Sequence, residues 1–384
     1  MTAPLPLSGR VVVDLTRNLA GPFATMILAE LGADVIKIEH PTHGDDTRQW
    51  GPPFWREESA MFLALNRNKR SLRLDLRLPE GRERLATLVR SADVLVESFR
   101  PGYLEGLGLG PGWAHALRPE LVYASVSGFG PTGPLASRPA YDPLIQAYAG
   151  MMAVTGEEGG GPVRIGVGLN DLATGMWAAI GVLAALAAPA EGQARVAIGR
   201  VETSLFETAL SFMSYHLAGY WATGKEPRRM GTAAAMIAPY EAFRTRDGNV
   251  MICVGNDKLF EALARALGLG ALATSPAYID NPARVKNRAI LHATLEAVTA
   301  AMDTEDLVRV LEHAGVPASA IRAVADVASD PQALALGMFQ TAAHPTIAEL
   351  RSVALPVALE GERPPLRRPP PLLGEHDGAF DDRT

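Results

Sequence analysis

The first 130 residues alternate between two hydrophobic rhythms. "VVVDLT" (11–16) is short, β-branched and almost wholly apolar, as expected of a strand buried on both faces. "GPFATMILAELGA" (21–33) repeats its apolar positions at helical spacing, and "DVIKIEH" (34–40) returns to a strand pattern. A loop rich in Gly, Pro and Asp follows (41–55). The pattern then predicts a third strand at "SLRLDLR" (71–77) and a helix with one charged face at "LPEGRERLATLVRSA" (78–92). Two further strands are expected at "DVLVESF" (93–99) and "LVYASVSGFG" (121–130). Strands separated by helices imply a largely parallel sheet covered on both faces, with ligand beyond the carboxyl ends of the strands.

The second half reads differently. Two helices, about 171–188 and 204–222, flank a strand-like "ARVAIGRVETS" (194–204). "YEAFRTRDGNVMICVGND" predicts a hairpin around Asp247-Gly248, and helical patterns run on to about residue 325. The Pro-rich tail is expected to lie extended over the surface. The expected fold class is α/β: a Rossmann-like parallel-sheet large domain plus a smaller α/β domain. Residues 1–200, completed by 330–384, form the first; 201–224 is a linker helix; 225–325 form the second.

Composition narrows the function classes. The net charge of −6 argues against a general nucleic-acid binder, because counterion release needs massed Lys and Arg. The single cysteine, Cys253, excludes an internal disulfide and is expected to face the core. The opening residues lack a signal-peptide pattern, and the most apolar run, Leu172–Ala188, reads as a buried helix and not a membrane span. A cytoplasmic location with no membrane partner is expected. The turn "LTRNLAGPFA" has one glycine where a dinucleotide fingerprint needs three, and there is no P-loop, so neither a nicotinamide nor ATP is expected. The eight histidines, His216 and His292 among them, show no zinc spacing, so no metal is expected.

"GVGLNDLATGMWAAIG" (166–181) sets one ionisable side chain, Asp171, between a glycine-spaced loop and a helix of small apolar residues. The pattern reads as a helix N-cap, which would hold the carboxylate ionised and fixed in direction. Small neighbours would let a bulky ligand approach it. An N-cap role and a nucleophilic role are compatible, and local pattern leaves both open.

Several segments in order resemble the class III CoA-transferase family. They are "DLTRNLAGPFATMILAELGADVIKIEHP" (14–41), "GDDTRQWGPP" (44–53), "NRNKRSLRLDL" (66–76), "ADVLVESFRPGYLEGLGLG" (92–110), "SVSGFGPTGPLASRPAYDPLIQAYAGMM" (125–152) and "GTAAAMIAPYEAFRTRDGNVMICVGND" (231–257), with the Asp171 stretch between. The resemblance implies transfer of coenzyme A from an acyl-CoA donor to a free carboxylic acid, through a mixed anhydride and an aspartyl-CoA thioester, with Asp171 as nucleophile. It implies CoA contacts at Leu19, Ala20, His40, Leu74, Arg77, Ser98, Phe99 and Arg100, with Tyr141 and Asp142 bordering the acyl pocket. Asp142 can also be read as a helix N-cap. It further implies an interlocked homodimer. Racemases of 2-methylacyl-CoA share the pattern but carry His where Tyr141 stands, which favours transfer over racemisation. A non-catalytic CoA-binding protein is the alternative from another class. Arg138 and Arg164 are candidates, by sequence proximity, for pairing with a second substrate carboxylate.

Overall fold

A computed structural model describes residues 4–188 and 198–383, which divide into two compact units. Unit 1 takes Met1–Met151, Ile165–Gly224 and Pro331–Thr384; unit 2 takes Met152–Arg164 and Lys225–Asp330. The short stretch 152–164 therefore groups with unit 2, where the sequence had suggested the large domain.

Unit 1 is built on six strands: β1 (Val11–Leu15), β2 (Asp34–Glu39), β3 (Lys69–Arg73), β4 (Val94–Glu97), β5 (Val122–Ser127) and β6 (Arg200–Ser204). Every pairing is parallel, and the order is β3-β2-β1-β4-β5-β6. Helices α1 (Ala20–Glu30), α2 (Pro79–Ser91), α3 (Asp142–Tyr148), α4 (Leu169–Leu186), α5 (Leu205–Phe212) and α6 (Ser214–Thr223) complete its main elements. Period-two alternation splits the strand side chains between two cores. Val13, Leu15, Ile36, Leu72, Leu95 and Tyr123 face Leu85 and Leu88 of α2. Val12, Val35, Val94, Val96 and Val122 face Leu28 and Ala29 of α1 with Ala179 and Val182 of α4. Both faces are buried, which is why these strands read as nearly continuous apolar runs.

Helix α4 is long and apolar enough to cross a membrane by length and composition. It packs closely on α1 instead: a Cβ added at Gly175 would lie 2.5 Å from the Ala20 carbonyl oxygen. The Pro-rich tail covers the exposed edge of β3. Asn68 Oδ1 accepts the Arg367 and Arg368 N–H groups at 2.7 and 2.8 Å, and the His376 N–H reaches the Ser71 carbonyl at 3.1 Å. Covering an edge removes a template for unwanted pairing.

Unit 2 carries a three-stranded antiparallel sheet of β7 (Tyr240–Arg244), β8 (Asn249–Cys253) and β9 (Ala318–Ala320), with β8 central. Helices α7 (Asp257–Ala266), α8 (Arg288–Thr299) and α9 (Thr304–His313) pack Phe260, Leu291, Leu295, Leu307 and Leu311 onto Phe243, Val250 and Ile252.

Several sequence expectations need correction. The third strand spans 69–73 and not 71–77; after Arg73 the chain turns, and the Leu78 N–H bonds the Asp75 carbonyl at 3.1 Å. The helix expected at 204–222 is two, α5 and α6, separated at Met213. Strand β6 begins at Arg200, and residues 194–197 of the strand-like stretch lie outside the described residues. Cys253 is half-buried, because the alternation of β8 points Val250 and Ile252 inward.

Candidate active site

In a sheet of this strand order the connections reverse direction between β1 and β4, and the loops leaving those two strands open a crevice at their carboxyl ends. A cleft of about 810 Å³ lies there. It is lined by Arg17–Gly21 after β1, Ser98–Pro101 after β4, Val126–Gly128 at the end of β5, Ala136 and Arg138–Pro143, with Asp46, Trp50, Leu205 and Asp171.

Asp171 is the third residue of α4. Gly168 takes the N-cap position, so the N-cap expectation fails by three residues. The electrostatic expectation fails with it. Burial, and then the neighbouring Asp142 charge, push the Asp171 carboxyl up to about 7. A Cβ at Gly168 would make an ordinary 3.5 Å contact with Asp171 Oδ2 and a tight 3.2 Å one with Leu19 Cδ1, so the cap lies against both cleft residues.

Asp142 is the first residue of α3 and not its cap, which is Tyr141. Its buried carboxylate accepts the Asn170 N–H at 2.9 Å and the Gln146 amide at 2.5 Å; Gln146 Oε1 in turn accepts the Ile165 N–H at 2.8 Å. Asp142 thus ties α3 to the first turn of α4, one residue before Asp171. Tyr141 is 57% exposed and faces Trp50 across 6.4 Å between ring centroids.

The loop after β1 is held by buried charge. Lys37, fully buried, donates to the Thr16 carbonyl at 2.9 Å and pairs with Asp45 at 2.8 Å. Asp45 Oδ1 accepts the Asn18 N–H at 3.2 Å, with Asn18 in the left-handed region at φ 66°. Asp14 accepts from the Thr16 N–H and hydroxyl and pairs with Lys69 at 3.1 Å. Burial alone would raise both carboxyls; the lysines and hydroxyls bring Asp14 and Asp45 below their ordinary range. Burial lowers Lys69 to about 8. The Arg17 N–H donates to Ser98 Oγ at 3.0 Å, joining the β1 and β4 loops, and Glu97 accepts the Phe99 N–H at 2.8 Å.

Of the residues singled out in the sequence, Asp171, Leu19, Ala20, Ser98, Phe99, Arg100, Tyr141 and Asp142 line this cleft. His40, Leu74 and Arg77 line a smaller adjoining hollow with Phe99 and Arg17. There His40 stacks on His43 at 3.9 Å, and Arg77 is clasped by Asp75 at 2.8 and 2.6 Å. Arg77 is 3.4 Å from His40 Nε2, and burial, His43 and Arg77 together lower the imidazole's proton affinity. The reading of the sequence missed Arg17, Asn18 and Trp50. For Trp50 the signals were the Gly/Pro/Asp-rich loop 41–55 and the resembling stretch "GDDTRQWGPP" (44–53) within it. Arg164, the other proposed cation, belongs to unit 2. Among the described residues, no group of three or more His, Cys, Asp or Glu could hold a metal ion.

Comparison with known proteins identifies the family of the chain. Residues 7–377 match the model of CoA-transferase family III. The chain is 39% identical to the mouse succinyl-CoA:glutarate CoA-transferase over 374 residues, covering 97% of this chain and 84% of that one. It is 40% identical to the acetyl-CoA:oxalate CoA-transferase of Acetobacter aceti over 383 residues, covering 98% and 95%. A crystal structure of a CAIB/BAIF family protein from Brucella suis superposes with a TM-score of 0.86 at 40% identity, covering 99% of both chains. The chain belongs to CoA-transferase family III, enzymes that move coenzyme A between acyl-CoA thioesters and carboxylic acids.

Proposed function

We propose that this enzyme exchanges CoA between short dicarboxylic acids, succinyl-CoA serving as a donor, with Asp171 as the covalent carrier. The observation that carries this reading is the placement of Asp171: a single carboxylate at the first turn of α4, in a cleft lined by the loops that leave β1 and β4. The relatives that act on glutarate and oxalate support the substrate class.

The chemistry follows from the side chain. Ionised Asp171 attacks the acyl carbon of the donor; the carbon–sulfur bond breaks, leaving a mixed anhydride and CoA thiolate. The thiolate attacks Asp171 Cγ, the donor acid departs as a carboxylate, and an aspartyl-CoA thioester remains. An incoming carboxylate attacks Cγ, expels the thiolate again, and the thiolate takes the acyl carbon of the new anhydride, restoring Asp171. No net bond energy is lost, and one difficult exchange becomes several easier ones. The N-terminal ends of α1 and α4 bring partial positive charge to the cleft, suited to the transient oxyanions and thiolate. Half-burial of Asp171 raises the basicity, and so the nucleophilicity, of its ionised carboxylate.

In this reading Leu19 and Ala20 line the thioester, and Ser98, Phe99 and Arg100 meet the pantetheine and diphosphate. His40, Leu74 and Arg77 meet the adenine side, and Arg77 exchanges Asp75 for phosphate, a bidentate partner of the same geometry. The chain is further proposed to work as an interlocked homodimer. The exposed apolar side chains of α4 to α6, including Met176, Trp177, Ile180, Tyr215 and Trp221, support a partner there.

The test is a donor and acceptor panel containing succinate, malate, oxalate, mesaconate and glutarate, run on the native enzyme and on Asp171→Asn. Native turnover with at least one dicarboxylic pair is expected, along with a loss of at least ~1000-fold in the variant. A variant that exchanges thioesters at the native rate overturns the covalent role.

A further inference from the structure

Three arginines line the cleft, and they come from different segments of the chain. Arg17 and Arg100 stand on the joined β1 and β4 loops, where Arg17 lies 5.2 Å over the Phe99 ring. Arg138 stands on a separate lining segment, the one leading to Tyr141, Asp142 and α3. That segment is tied through Asp142 to the turn bearing Asp171. Most arginines of unit 1 are spoken for by acids, among them Arg48 by Glu39, Arg67 by Glu30, Arg73 by Asp377 and Arg77 by Asp75. Arg138 has no carboxylate partner among the described residues. Its guanidinium rests over two aromatic faces, 5.7 Å from the Phe129 centroid and 5.6 Å from that of Tyr148.

An aromatic platform orients a guanidinium by cation–π attraction while leaving its N–H edge free. That edge is the part that takes a carboxylate in two parallel hydrogen bonds. We infer that Arg138 receives the distal carboxylate of a dicarboxylic substrate, the end that is not joined to CoA. This rests on the acyl-transfer reading above and adds the group that recognises the substrate. A monocarboxylic acid of the same length would forgo that bidentate contact, so the site favours the dicarboxylic acid by the hydrogen bonds it alone can make.

The experiment measures kcat/KM for glutarate and for pentanoate as acceptors with the same CoA donor, in the native enzyme and in Arg138→Gln and Arg138→Lys. Keeping the donor constant cancels its own use of the site. The glutarate-to-pentanoate ratio is expected to fall at least ~30-fold in Arg138→Gln and by a smaller factor in Arg138→Lys, which keeps the charge but not the fork. An unchanged ratio in a folded Arg138→Gln, or in Arg138→Lys should the first variant fail to fold, overturns the assignment and leaves the transferase reading intact. Weakened binding of free CoA by Arg138→Gln, matching the loss with glutarate, would place the guanidinium on CoA and also overturn it. A native enzyme that uses pentanoate but no dicarboxylic acid would instead sink the substrate class itself.

Discussion

A carboxyl raised to about 7 is an unusual nucleophile, and its cost and benefit both follow from burial. The free enzyme must lose the Asp171 proton before attack. Its kcat/KM is therefore expected to rise with pH through about 7 and flatten above, with about a 30-fold deficit at pH 5.5. Asp142→Asn removes the charge that is the second cause of the shift while keeping an acceptor for the Asn170 N–H. It should move the midpoint downward, and a midpoint unmoved in both direction and size would contradict the electrostatic account. The same shift bears on stability. The folded state keeps a proton that the unfolded chain releases near 3.8, so this group's contribution falls as pH rises from about 4 to 7 and stays lost above. Asp171→Asn is accordingly expected to raise the unfolding free energy by about 4 kcal/mol at pH 8 and by little at pH 4, read from paired denaturant titrations. The sequence made Asp171 visible as the one ionisable group between glycines and a small-residue helix. It did not reveal the proton affinity. That depends on Asp142, 29 residues earlier in the chain, and on burial that only the packed helices create.

Helices α1 and α4 fix the geometry of the reactive end. Gly175 allows their close approach, and a methyl group there would press on the Ala20 carbonyl at 2.5 Å and on Phe23 at 3.1 Å. Because Ala20 lines the cleft and Asp171 is one turn earlier on α4, Gly175→Ala should spread the two helices and displace both walls together. A destabilisation of about 1–3 kcal/mol and a fall in kcat larger than any rise in KM are expected, read from chemical unfolding and steady-state kinetics. Unaltered kcat in that variant would mean that the approach is not needed for catalysis. The elements themselves were largely legible. β1, α1, β2, α2 and β5 fall close to where periodicity predicts them, because both faces of the sheet are buried and each element's apolar stripe records it. What periodicity missed was termination. The end of β3 is set by a turn at Asp75, and the break at Met213 falls inside an otherwise continuous apolar pattern.

The cleft assembles from four separated loops, and their meeting follows from the strand order β3-β2-β1-β4-β5-β6. Local pattern announces each strand but not which strands become neighbours, which explains why Arg17, Asn18 and Trp50 were not anticipated. Family resemblance supplied positions that local chemistry could not, such as Leu19 and Leu74. If the exposed apolar face of α4 to α6 is covered by a second copy, light scattering should return twice the 40.8 kDa chain mass at micromolar concentration. A stable monomer with full activity would remove the homodimer from the account.

Covalent capture on Asp171 is the claim on which the mechanism stands. Enzyme incubated with succinyl-CoA and then hydroxylamine should yield a hydroxamate on the peptide bearing Asp171, located by tandem mass spectrometry and absent without the thioester. An active preparation whose Asp171 peptide stays unmodified, or one modified at another carboxylate, would contradict it.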